Sequence, residues 1–151
     1  MRSFYLLSLL IILHATASAQ FVAKMEIKDS IPGLCDKNEV YALFPMFKGQ
    51  EEAPCPMNNT EIQARLEEEV VFLKKNANYK DKGMVNIIIN CKGEVVKCEM
   101  DNKTKSEELD KQIVDVFKTL GTWKPGKLNG KPVDSSRLWS FDIKKGKIYL
   151  Q

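Results

Sequence analysis

Histidine is nearly missing from this chain: there is one in 151 residues, at position 14. That residue falls in an apolar N-terminal stretch. The rest of the chain therefore lacks the commonest general base and the commonest nitrogen ligand for zinc. Nucleophilic catalysis of the Ser-His or Cys-His kind is excluded there. Cysteine is sparse too. Cys35, Cys55, Cys91 and Cys98 are the only four, and no two form a C-x-x-C pair, so the usual thiolate metal site and dithiol redox motif are absent. Past the N-terminus no run reaches the ~20 apolar residues needed to span a bilayer. Charge of one sign is also lacking. The 23 basic and 20 acidic residues are intermixed and set up no strong field for nucleic acid or anionic lipid. These absences point away from an enzyme, a metal site, a bound cofactor and a nucleic-acid partner.

What is present starts with an export signal. Met1-Arg2-Ser3 carries one positive charge, Phe4 to Leu13 is apolar, and Ala17-Ser18-Ala19 fits the small-x-small cleavage rule. Cleavage before Gln20 is expected. It would place residues 20–151 in the periplasm, with no integral membrane span after processing. An uncleaved N-terminus would instead anchor the chain in the inner membrane.

Four cysteines in an exported chain suggest disulfides. Cys91 and Cys98 flank a turn at Lys92-Gly93 and should not join each other. At ~3.3 Å per residue, Cys98 lies about 10–13 Å along its strand from the residue facing Cys91, beyond the ~7 Å a disulfide tolerates. Cys35–Cys55 remains open, as do cross-links from the N-terminal segment onto the hairpin. Free buried thiols are the alternative to both.

Residues 20–57 hold Pro32-Gly33, Pro45 and Pro54-Cys55-Pro56, which interrupt regular structure. One short strand is expected at Glu39 to Phe44. Val40, Tyr41, Leu43, Phe44, Met46 and Phe47 call for burial, so this segment reads as an irregular arm packed on residues 58–151. A helix is expected from Thr60, with Gln63 closing a capping box and Ile62, Leu66, Val70 and Leu73 on one face. Val85, Ile87 and Ile89 alternate as a half-buried strand. Ile88 breaks the polar side, implying some cover there too. Val95, Cys98 and Met100 return after the turn with a change of phase that suggests a bulge. A second helix over Ser106–Leu120 carries Leu109, Ile113, Val116, Phe117 and Leu120, with Gly121 at its C′ position. Arg137 to Lys144 alternates again as a third strand, expected at a sheet edge. The fold class expected is α+β: a small three-stranded antiparallel sheet with two helices packed on it, plus the arm.

Trp123-Lys124-Pro125-Gly126-Lys127-Leu128-Asn129-Gly130-Lys131-Pro132-Val133 is the most distinctive string. Two turn dipeptides, Pro125-Gly126 and Asn129-Gly130, follow an aromatic anchor. Lys124, Lys127 and Lys131 make the arm locally basic, as a solvated turn would be. The pattern W-x-P-G-x-x-N-G-x-P-V resembles the signature of the TonB C-terminal domain family. Other parts of that pattern occur in the same order: Val85-x-Ile87-x-Ile89, Gly93, Val95 and Leu109-Asp110. The resemblance covers residues 60 to about 145. Upstream, Phe44-Pro45-Met46-Phe47-Lys48-Gly49 is similar to the P-x-F-x-G segment that precedes the domain in versions from Bacteroidetes-like bacteria.

The resemblance implies a binding module of the cell envelope, linked to transmembrane transport. Family members dock an extended peptide of a TonB-dependent outer-membrane receptor by adding it as a strand to a sheet edge. The edge so implied is Arg137, Leu138, Trp139, Ser140, Phe141, Asp142 and Ile143, with Trp139 and Phe141 on one face. Ordinary packing explains those two rings equally well. Energy-transducing members keep a membrane helix and a long Pro-rich spacer, and no such spacer follows here. A short anchored transducer, an exported enzyme and a structural interaction protein are the competing readings.

Overall fold

Period-two alternation and two apolar helical stripes gather this chain around one sheet. A computed structural model describes residues 21–37 and 39–151, and the export signal expected at residues 1–19 lies outside them. Strand β1 is Ala23–Met25, β2 Val40–Ala42 and β3 Gln50–Glu51. Helix α1 (Asn59–Glu69) and a short α2 (Val71–Lys75) follow. Then come β4 (Asp81–Ile89), β5 (Val95–Asn102) and helix α3 (Glu107–Lys118). The chain ends with β6 (Gly126–Leu128), β7 (Lys131–Val133), β8 (Ser135–Lys144) and β9 (Lys147–Leu150).

The three-stranded sheet with two helices is corrected by this inventory. One sheet has six strands in the order β1-β2-β8-β4-β5, with β9 also paired to β8, and β3-β6-β7 form a second sheet. Three helices, not two, occur among the described residues. The reason is length and locality. β1, β2 and β3 span two or three residues each, too few to show a period. Their partners lie far off in sequence: β2 runs parallel to β8 through Tyr41↔Ser135 and Ala42↔Ser136. The arm is therefore not irregular, since it supplies strands to both sheets.

Val85, Ile87 and Ile89 of β4 face the helices, where Ile62 and Leu66 of α1 and Leu109, Ile113, Val116 and Phe117 of α3 are buried with them. Burying such side chains is worth ~1.5–3 kcal/mol each. The opposite face is covered by the arm. Ile88 is only 2% exposed, and it lines a hollow of about 240 Å³ together with Met25, Ile27, Ile31 and Val40. That cover explains why the polar side of β4 is broken by an isoleucine.

Local signals set the element ends. The first helix starts one residue earlier than expected, because Asn58 rather than Thr60 is the cap. Its Oδ1 accepts from Glu61 N–H at 3.0 Å, and Glu61 returns a bond to Asn58 N–H at 2.8 Å. Ser106 caps α3 by accepting from Leu109 N–H, and Gly121 lies beyond the C-cap at φ +122°. Ile89 faces Val95 while Ile88 faces Lys97, so Val96 is the extra residue of a bulge. Lys145 and Gly146, both at positive φ, turn β8 into β9 in the manner of a tight hairpin.

Not all of the arm's apolar residues are covered. Val40 and Leu43 are buried, but Met46 is 82% exposed, and Phe44 and Phe47 are each more than a third exposed. Phe21, Phe44 and Phe47 stack on one another instead, with ring centroids 5.0–6.3 Å apart.

Candidate functional site

The stretch singled out as a docking edge, Arg137 to Ile143, belongs to β8, and β8 is central in the sheet. One side pairs with β4 from Asp81↔Ile143 to Ile89↔Ser135. On the other side β2 occupies Ser135–Ser136, and β9 occupies Phe141–Lys144. Between them lies a short gap. Tyr41 N–H donates to Asp134 O at 2.9 Å, and Gln151 N–H donates to Ser140 O at 3.0 Å. By the alternation of a strand, Leu138 points its own N–H and C=O the same way, into the gap. Its side chain is 53% exposed.

Trp139 and Phe141 line no peptide pocket. They are 4% and 1% exposed and face the helices. Trp139 meets Phe117 at 5.6 Å and Trp123 edge-on at 5.9 Å between centroids. Ile143 is buried in the same layer. Arg137 covers the Trp139 ring from 4.7 Å, donates to Ala53 O at 3.0 Å and pairs with Glu52 at 3.3 Å. Its guanidinium thus fastens the arm to β8. Ser140 is half-buried. Asp142 accepts from Gln151 Nε2 and pairs with Lys144.

The Trp-Pro-Gly string builds the neighbourhood of this strand and does not bind from it. Trp123 is buried under Trp139, and Pro125 leads the chain into β6. Gly126 is buried where a Cβ would lie 2.6 Å from both Leu43 Cδ1 and Ser135 Oγ and 3.2 Å from Glu51 O, so a larger residue would have to displace both side chains. Asn129 and Gly130 take φ of 52° and 77°, as a two-residue hairpin turn between β6 and β7 requires. Gly93, at φ 85°, brings the β4–β5 turn against Trp123, where a Cβ would sit 2.6 Å from its carbonyl oxygen. Lys127 pairs with Glu51 at 3.2 Å.

Sequence reasoning missed the junction of arm, hairpin and β8. Cys35 bonds to Cys91 across 56 residues, one of the arm-to-hairpin cross-links left open by the sequence. Cys55 and Cys98 are free, so the Cys35–Cys55 alternative does not form. Asp134, 2% exposed, accepts Cys91 N–H at 2.7 Å on one carboxylate oxygen and Asp36 N–H at 2.8 Å on the other. Asn90, fully buried, accepts from Lys92 N–H and Glu94 N–H and donates to Gly33 O at 2.8 Å. Asp134 directly follows the Pro132-Val133 of the distinctive string, and that adjacency was the available signal. Pro132, Val133, Tyr41 and Asp134 line an open hollow of about 230 Å³ beside the disulfide.

Among the described residues, Cys35, Cys91 and Asp134 are the one grouping with metal-ligand geometry, their donor atoms lying within 4.8 Å. Those donors are already committed. The sulfurs bond each other and both Asp134 oxygens hold main-chain N–H groups. The free thiols are not activated: burial pushes Cys98 up to about 11 and raises Cys55 as well. Both are protonated at neutral pH, unlike a nucleophilic cysteine.

Among the described residues no helix is long and apolar enough to cross a membrane. No family model, no curated protein and no solved structure matches this chain.

Proposed function

We propose that this chain is an envelope binding module of the TonB C-terminal type. It docks an extended segment of a TonB-dependent outer-membrane receptor by strand addition and so serves transport across that membrane. The observation that carries the reading is the interrupted outer edge of β8. The strand pairs with β4 over nine residues, yet among the described residues its other side is filled only at its two ends, leaving Leu138 with outward main-chain groups and an exposed apolar side chain. Main-chain bonds there supply affinity, and the alternating side chains Ser136, Leu138 and Ser140 supply selectivity.

The sheet's other long edge is a poorer dock. Among the described residues β5 pairs only with β4, but it presents Lys97, Glu99 and Asp101 in alternation and carries the Val96 bulge. Charge and bulging are the devices that keep strand edges from pairing.

The test is a titration of the isotope-labelled chain with synthetic peptides copying the periplasmic N-terminal segments of outer-membrane receptors. Amide shifts centred on Ser136 and Leu138 are expected. Shifts centred on Val96–Asn102, or none with any peptide, would refute the reading.

A further inference from the structure

The gap at Leu138 is short because the chain fills part of its own edge. β2 lies parallel to β8 where an incoming strand would lie, and β1 is paired to β2 in turn. If β2 left, the outward groups of Asp134, Ser136 and Leu138 would form one continuous edge. From Asp134 to Leu138 that edge would span about 13 Å at ~3.3 Å per residue.

Several features mark β2 as a replaceable occupant. Its pairing with β8 covers two residues. Beneath it Ser135 Oγ is buried and has no hydrogen-bond partner among the described residues, a cost that another segment with a suitable acceptor would remove. The outer end of the arm is held by the Lys24–Glu39–Tyr41 cluster, on exposed or half-buried side chains. The fixed point is Cys35–Cys91, six residues before Tyr41, with the Asp36 N–H bond to Asp134 and the Asn90 bond to Gly33 O beside it. Cys35 is exposed, and the hollow lined by Pro132 and Val133 opens onto the bond, so a thiol can reach it.

We propose that β2 is an internal occupant of the β8 docking edge, latched by Cys35–Cys91, and that a dithiol reductant opens the edge by reducing this disulfide. A thiolate of the reductant attacks Cys35 Sγ and Cys91 leaves as a thiolate, which takes a proton. The reductant's second thiol then displaces Cys35 and closes the reductant's own disulfide. Two electrons and two protons pass to the protein as two thiols. With the latch open, no covalent cross-link pins the arm to the hairpin, and β2 exchanges with strands from outside.

The proposal rests on the strand-addition reading for what enters the edge; the release of β2 does not depend on it. The experiment compares the oxidised chain, the chain reduced with dithiothreitol, and Cys35→Ser. Amide hydrogen exchange at Tyr41 and Ser136, whose N–H groups lie in the β2–β8 ladder, is measured first. Binding of a synthetic peptide copying Glu39–Phe44 is measured second. Faster exchange at these amides on reduction, with β4 and α3 unchanged, and peptide binding at least about tenfold tighter than to the oxidised chain are expected. Tyr41→Pro removes the N–H that bonds Asp134 and leaves the disulfide intact; it should open the Ser136 amide without reductant. Exchange unchanged on reduction would overturn the latch whatever the peptide does. Exchange that opens while neither this peptide nor receptor peptides bind would leave the latch standing and sink the strand-addition reading. Exchange that opens throughout the domain would show a general stabiliser and also overturn the latch.

Discussion

Asp134 holds three parts of the molecule at once, and its removal tests whether the junction is as tight as the geometry implies. Replacing it with alanine takes away the acceptors of Cys91 N–H and Asp36 N–H, bonds of 2.7 and 2.8 Å to a charged oxygen. Hydrogen bonds to charged groups contribute ~1.5–3 kcal/mol each. Both sit in part-buried surroundings, where water compensates in part, so the lower figure applies and the total loss is about 3 kcal/mol. Asp134→Asn keeps the shape and one acceptor oxygen but turns an amide N–H toward the second donor. It should cost less, at about 1.5–2 kcal/mol. Urea unfolding with the disulfide intact reads both losses: at a slope of ~1–3 kcal/mol/M, the alanine variant should unfold about 1–3 M earlier. Midpoints of both variants within ~0.3 M of the parent would refute the reasoning, because the two N–H groups would then be satisfied equally well by water.

Other outcomes follow from the same geometry. Gly130→Ala meets no atom within 4 Å and pays only for its positive φ, about 1 kcal/mol; Gly93→Ala adds a contact 2.6 Å from the Trp123 carbonyl oxygen and should lose about 2–3 kcal/mol or more by thermal or urea unfolding. Cys98, pushed up to about 11 by burial, should react with iodoacetamide at pH 8 about a hundredfold more slowly than a free thiol, and unfolding should abolish the difference. Hydrogen bonds from Lys24 first and Tyr41 second hold the Glu39 carboxyl below its ordinary 4.5. Their contribution is thus complete above that value and fades as pH falls through the lower folded one. Acidification should loosen β1 and β2 before the core, read as faster amide exchange at Met25 and Tyr41.

The elements legible in the sequence are those with enough length to show a period. Val85-Ile87-Ile89, the Leu109–Leu120 stripe and the alternation through Arg137–Lys144 each became an element close to its expected limits. Even the bulge after Val95 and the cover over Ile88 were readable, from one phase change and one misplaced isoleucine. What stayed hidden was pairing between distant short segments. Nothing in Val40-Tyr41-Ala42 says that it lies parallel to Ser135-Ser136, and that contact decides whether β8 is an edge. β9 was hidden by its setting: Ile148-Tyr149-Leu150 follow a lysine-rich turn and resemble a tail until Lys145 and Gly146 are seen at positive φ. The alternation that marked Trp139 and Phe141 was real, but it gives two faces without saying which one is buried. The outward residue, Leu138, is the one left at the site.

The most direct test of strand addition at β8 uses the cell itself. A photo-crosslinking residue at Leu138, and in a second strain at Val96, would be activated in living cells and the adducts identified by mass spectrometry. The account predicts an adduct from position 138 with the periplasmic segment of an outer-membrane receptor, increased by Cys35→Ser, and none from position 96. Receptor adducts from position 96 alone, or none from either position in the Cys35→Ser background, would contradict it.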